Sequence, residues 1–177
     1  MSHGGTRILL SSQREGQVSR FRAWVLLAIP LAAILFQVYV PLFFQFLGFL
    51  EMPLLVVMYF ALMRRNPISG LLLGAGVGLA QDALSKNPLG MFGIVNTLVG
   101  YFAASVGMRI DVDQGVIRLL LSFFFCLFHQ LMYWVLVRAL LDQPLAFDVQ
   151  RTLLKAVLNA VVGVSVFHFL DKLRETV

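Results

Sequence analysis

Of the chain's 177 residues, 59% belong to the set AVILMFWYC, and only 13% are Asp, Glu, Lys or Arg. Mean hydropathy is +0.85. A soluble domain carries about 25% charged residues, and a chain this small has too little interior to hide so much apolar surface. Lipid is the solvent that suits this composition. The net charge is +5, but the basic residues fall in short clusters between apolar runs. That pattern orients a membrane protein and argues against nucleic acid as a partner. The single cysteine, Cys126, excludes an intrachain disulfide or a thiolate metal site.

Residues 1–20 form a polar tail holding Arg7, Arg14 and Arg20, with Arg22 just beyond. The first apolar run, from Trp24 to about Phe46, is too long for the apolar core of a cleaved leader and is read as a retained span. Pro30, Pro41 and Pro53 are candidate kinks or ends. The crowded stretch from Leu47 to Gln81 is interrupted by Arg64-Arg65-Asn66-Pro67. It divides into a span from about Glu51 to Met63 and another from Ile68 to Ala83. The alternative for these two short segments is one membrane-dipping hairpin. Further spans follow at Leu89–Met108, Val116–Leu141 and Thr152–Leu170. The expectation is an all-α membrane protein, a compact bundle of six helices over residues 21–170, with a short tail at 171–177. With an inside N-terminus, one side collects Arg64, Arg65, Arg109, Arg118, Lys172 and Arg174. The other keeps Lys86, Arg138, Arg151 and Lys155. This asymmetry predicts both termini in the cytoplasm.

Polar groups at membrane depth are costly and are functional candidates. Gly70, Gly74 and Gly78 recur every four residues on the third span, with Gly76 nearby, and Asp82 continues the ridge. Such a ridge admits a close helix, either within the chain or from a partner. Asp82 either begins the following loop or pairs with a cation. Arg151, Lys155 and Asn159 share an i+4 ridge with Gly163 on the last span. An Asp82–Lys155 or Asp82–Arg151 pair is therefore expected, unless both cations snorkel to the interface. Asn96 and Thr97 on the fourth span are candidates for interhelical hydrogen bonds. His129, with Gln130 and Tyr133, lies near mid-membrane and reads as a hydrogen-bonded structural residue. His168 is expected at the interface. The basic residues Arg64, Arg65 and Arg109 would face anionic headgroups and cytoplasmic partners.

No catalytic triad, His/Glu metal motif or phosphate-binding glycine loop appears. No cofactor, metal or enzymatic activity is expected.

The segment Arg64-Arg65-Asn66-Pro67, the glycine-rich span ending Gln81-Asp82, then Asn87-Pro88-Leu89-Gly90 and Leu98-Val99-Gly100-Tyr101 resemble the bacterial rod shape-determining MreD family. The specific likeness covers about residues 62–107. It implies a non-enzymatic inner-membrane component of the elongation machinery that supports peptidoglycan synthesis. Its implied partner is the bitopic protein MreC, and through it MreB, RodA and a class B penicillin-binding protein. The family is also similar in structure to the substrate-binding subunits of energy-coupling-factor vitamin transporters. That gives a second reading, which requires an outward polar and aromatic pocket. Tyr101, Tyr133 and Trp134 are the candidates to line it. A lipid-handling enzyme or flippase is a third reading, and the chain lacks the clustered charges that headgroup chemistry uses.

Overall fold

Local chemistry sets the sharpest helix boundary. Pro67 cannot continue a helix from behind but suits the first turn of a new one. Asn66 caps that turn, its Oδ1 accepting the N–H groups of Ile68 at 3.0 Å and Ser69 at 3.1 Å. Arg65 takes a left-handed conformation, φ 49°, and closes the preceding helix.

A computed structural model describes residues 23–85, 88–141 and 146–173. Among them the chain is all-helical: α1 Ala23–Phe43, a 3-10 turn Gln45–Phe49, α2 Met52–Arg64, α3 Pro67–Leu84, α4 Met91–Gly107, α5 Gly115–Leu141 and α6 Val149–Asp171. Each predicted span falls on one of these six helices. α1, α3, α5 and α6 are long and apolar enough to cross a membrane, while α2 and α4 are shorter apolar helices of 13 and 17 residues. α1 continues through Pro30 and Pro41. The basic residues at 7, 14, 20 and 22, with Lys86 and Arg174, lie outside the described residues.

The distribution of polarity is that of a protein in lipid. Leu27, Leu31, Leu35 and Tyr39 are exposed at i+4 spacing along α1, as are Leu120 and Phe124 on α5 and Val157 and Val161 on α6. Among the described residues the buried polar side chains are Glu51, Gln81, Asp82, Asn96, Arg118, Ser122, His129 and Asn159. Apolar groups face outward, and polar groups find one another inside.

α2 is the centre of the bundle. Every residue from Pro53 to Met63 is buried. At 1.5 Å per residue such a helix covers about 20 Å, short of a hydrocarbon core of about 30 Å. Other helices surround it, so its ends need not reach the headgroups.

α3 and α4 make the most extensive helix–helix contact. A Cβ at Gly70 would run into the carbonyl of Gly100, one at Gly74 into that of Asn96, and one at Gly78 into that of Phe92. In return, a Cβ at Gly100 would strike the carbonyl of Gly70. The two backbones touch along the whole ridge. This decides between the two uses expected for Gly70, Gly74 and Gly78: the chain's own α4 fills the groove, and it is not open to a partner helix. The reason is proximity, because the short connection from Ser85 to Gly90 returns α4 antiparallel to α3. Gly76 lies on the outer side of α3, with nothing within 4 Å of an added Cβ.

Gly74→Leu is therefore expected to destabilise the fold by at least about 3 kcal/mol, the upper range for overpacking against an unyielding backbone. Gly76→Ala is expected to stabilise by up to about 1 kcal/mol. Thermal unfolding in detergent, followed by loss of the monodisperse species, separates the two.

Candidate functional site

The first turn of any helix leaves N–H groups without intrahelical acceptors. The N-cap of α4 is Gly90, which has φ 96° and no side chain with which to cap that turn. Asp82, at the last turn of α3, does so instead. Its Oδ2 accepts the N–H groups of Gly90 at 2.9 Å and Gly93 at 3.0 Å, and its Oδ1 accepts that of Phe92 at 3.2 Å. The carboxylate is buried and faces the positive end of the α4 dipole. One residue earlier, Gln81 accepts at 3.4 Å from the Nδ2 of Asn96. Thr97 bonds within its own helix, to the carbonyl of Gly93 at 2.6 Å.

This corrects the expected Asp82–Lys155 or Asp82–Arg151 pair. Lys155 reaches Glu51 at 3.4 Å, and the Arg151 guanidinium lies over the Phe49 ring, 5.6 Å from its centroid. The donors at the start of α4 lie within reach of Asp82 along its own hairpin, whereas α6 packs against α5, α2 and the 3-10 turn. Asn159 completes that attachment. Its Oδ1 accepts the N–H of Glu51 at 2.7 Å, and its Nδ2 donates to the carbonyls of Phe49 at 2.8 Å and Lys155 at 2.9 Å. Gly163 keeps α6 close, since a Cβ there would meet Ser122 Oγ at 2.8 Å.

Phe92 links the α4 cap to a cavity. Its ring stacks on Tyr133, with centroids 5.0 Å apart and planes at 19°, and on His129, at 5.8 Å and 8°. All three line a pocket of about 370 Å³ between α5 and α6, at the end of the bundle that carries Glu51 and Lys155. Gln130, Trp134, Phe147, Asp148, Arg151, Thr152 and Lys155 complete most of the wall. Gln130 Nε2 donates to the carbonyl of Thr152 at 3.3 Å and ties α5 to α6 behind the cavity. Asp148 caps α6, accepting the N–H of Arg151 at 3.0 Å. His129 is buried, and its Nδ1 has no hydrogen-bond partner. The hydrogen-bonded role expected for it is not met at that atom. Of the anticipated pocket aromatics, Tyr133 and Trp134 are present. Tyr101 instead packs edge-on against Phe102, away from the pocket.

At the opposite end, Arg118 is buried. Its Nε donates to the carbonyl of Val112 at 2.7 Å, and its guanidinium pairs with Asp171 and, at 3.5 Å, with Asp113. The other oxygen of Asp171 accepts from Tyr59 Oη at 2.9 Å. Arg118, counted above with Arg109 as one inner-side charge, is thus an internal tie between α5, α6 and α2. Arg109 is exposed, and Arg64 and Arg65 are half-buried. The pocket and this cluster hold residues that sequence reasoning missed: Phe92, Phe147, Tyr59 and Asp171. A usable signal was present for Asp171. Arg118 and Asp171 carry opposite charges at span ends on the same predicted side of the membrane. Among the described residues no group of three or more His, Cys, Asp or Glu is placed to hold a metal ion.

Compared with known protein families, residues 19–173 match rod shape-determining protein MreD. The chain belongs to the MreD family. That match spans most of the chain and includes every helix from α1 to α6. As a member of this family it is a membrane protein with a role in rod shape determination. No curated protein and no solved structure gives a match.

The Glu51–Lys155 pair carries a sharp expectation. Glu51→Gln and Lys155→Gln should each destabilise by about 1–3 kcal/mol, because each leaves a desolvated charge behind. The double variant should cost less than the sum, a coupling that Asp82→Asn combined with Lys155→Gln should lack. Unfolding free energies of the two double-mutant cycles make the comparison.

Proposed function

We propose that this MreD-family chain is a non-enzymatic scaffold that holds a bitopic partner, of the kind MreC represents, by its membrane-proximal segment. The partner enters the polar pocket at the Lys155 end, which the charge asymmetry assigns to the outer side. Through that partner the scaffold serves MreB, RodA and a class B penicillin-binding protein in peptidoglycan synthesis.

The observation that carries the reading is the pocket itself. Its wall combines broad aromatic faces with a charged group, Arg151, and a buried ring nitrogen, His129 Nδ1, that has no partner among the described residues. An unpaired buried ring nitrogen costs free energy, so the fold carries that cost beside the pocket. Arg151 pairs with no carboxylate among the described residues and is exposed at the pocket mouth. Aromatic groups and arginine are the side chains that most often anchor a protein interface. A segment leaving the membrane next to this bundle, with an acidic side chain for Arg151 and an apolar or aromatic group for the ring faces, fits that chemistry.

At the opposite end, Arg64, Arg65 and Arg109 would meet anionic headgroups on the cytoplasmic side. In this reading both chain termini lie on that side, as the charge asymmetry of the sequence suggests.

One feature favours the transporter reading. The pocket is polar and aromatic, and at about 370 Å³ it falls in the size range of small-molecule sites. The scaffold reading remains the better one, because it joins the pocket to the family's role in shape determination.

Gentle detergent extraction of the tagged chain from its native membrane, followed by mass spectrometry, tests the proposal. An MreC-like protein should co-purify, and Arg151→Glu should lower its recovery about tenfold, the effect of reversing one well-placed interface charge. Recovery of paired ATPases with a coupling membrane protein, or of a retained small molecule, would replace the scaffold reading by the transporter one.

A further inference from the structure

The ridge of α3 does more than pack. Its positions at four-residue intervals meet α4 in order: Gly70 at Gly100, Gly74 at Asn96, Gly78 at Phe92, and Asp82 at the α4 N-terminus. The last two grip the same residue. Gly78 lies against the carbonyl of Phe92, and Asp82 Oδ1 accepts its N–H at 3.2 Å. The peptide units on both sides of the Phe92 Cα are thereby held by α3. The ring then projects onto His129 and Tyr133 of α5.

We infer that Asp82 is a positioning residue for the polar pocket, acting through Phe92. Asp82 is absent from the pocket wall, whereas Phe92, His129 and Tyr133 are part of it. The carboxylate supplies the cap that Gly90 cannot. By fixing the first turn of α4 it fixes the direction in which the Phe92 ring leaves the backbone. The ring in turn covers one side of His129 and sets how much of the cavity a ligand can enter. A neutral amide at position 82 keeps the volume of the side chain. It cannot accept three N–H groups as strongly as a carboxylate, because charge-assisted hydrogen bonds are the stronger ones. The first turn of α4 then frays, and Phe92 loses its fixed stacking.

The inference rests on the pocket being the docking site only for its effect on binding. Its effect on the ring can be read without any partner. With 4-fluorophenylalanine placed at position 92 of the full chain in detergent, the fluorine resonance reports the stack. In the parent chain Tyr133→Leu should move it, since the ring current of Tyr133 is removed. In Asp82→Asn the resonance should already be shifted or broadened, and Tyr133→Leu should move it little. An equal Tyr133→Leu shift in both backgrounds overturns the inference.

If Asp82→Asn does not accumulate as a monodisperse protein, Asp82→Glu serves. It keeps the charge but lengthens the arm, and it should shift the same resonance. An unshifted resonance there overturns the inference as well.

The second readout is recovery of the co-purifying bitopic partner. Asp82→Asn should lower it about tenfold, the scale of one lost charged hydrogen bond. In a Phe92→Leu background it should lower it no further. Full additivity of the two changes overturns the inference. If the resonance responds as expected but Asp82→Asn, Phe92→Leu and Arg151→Glu all leave recovery unchanged, the positioning role stands and the docking reading fails.

Discussion

The closest constraint in this fold is the backbone-to-backbone contact of α3 with α4. Lipid gives no hydrophobic drive for helices to associate, so packing and hydrogen bonds must supply it. Glycines at 70, 74 and 78 bring the carbonyls of α4 within contact of α3. Once those carbonyls are seated, the start of α4 is fixed in height and rotation. Only then can Asp82 reach the N–H groups of Gly90, Phe92 and Gly93 together. The position of Phe92, and with it one wall of the pocket, follows from that hairpin.

A second set of ties holds the rest. α6 is fastened to the central helix or its approach at both ends. Near the pocket the link runs through Asn159, Lys155 and Glu51. At the far end it runs through Asp171 to Tyr59, with Arg118 of α5 joined to the same carboxylate. Between these ends α2 is apolar on every side and contributes shape and van der Waals contact. Polar chemistry is thus confined to the ends of α2 and to the α3–α4 seam, where each group finds a partner. His129 Nδ1, Asn96 Oδ1 and Ser122 Oγ are buried exceptions among the described residues. Of these, His129 lines the pocket.

Much of the helical layout could be read from the amino-acid order. Runs of apolar residues, broken by Arg-Arg-Asn-Pro and by the Pro-Leu-Gly turn, placed all six helices close to their observed bounds, because lipid demands long apolar segments and the turn residues stop them. Pairing was harder. Asp82 lies at a depth similar to that of Lys155, and depth alone suggested a salt bridge. Depth says nothing about which helices are neighbours, and the backbone donors of a helix start leave no mark in the side-chain sequence. Gly90 held the missing clue: a helix start without a capping side chain needs an acceptor from elsewhere. The pocket was the least legible part. Its walls come from α4, α5, α6 and the approach to α2, and no periodicity within one helix reveals a cavity among four elements.

The central claim, that the polar pocket is where the scaffold holds its partner, is tested most directly by crosslinking in living cells. A photoreactive amino acid would be placed at Thr152, on the pocket wall, and in separate cells at Leu120, on the exposed face of α5. Illumination should join the Thr152 probe to one bitopic membrane protein, identified by mass spectrometry, and the Leu120 probe to lipid alone. A partner adduct from Leu120 with none from Thr152 would contradict the account and place the interface on the lipid-facing side of the bundle.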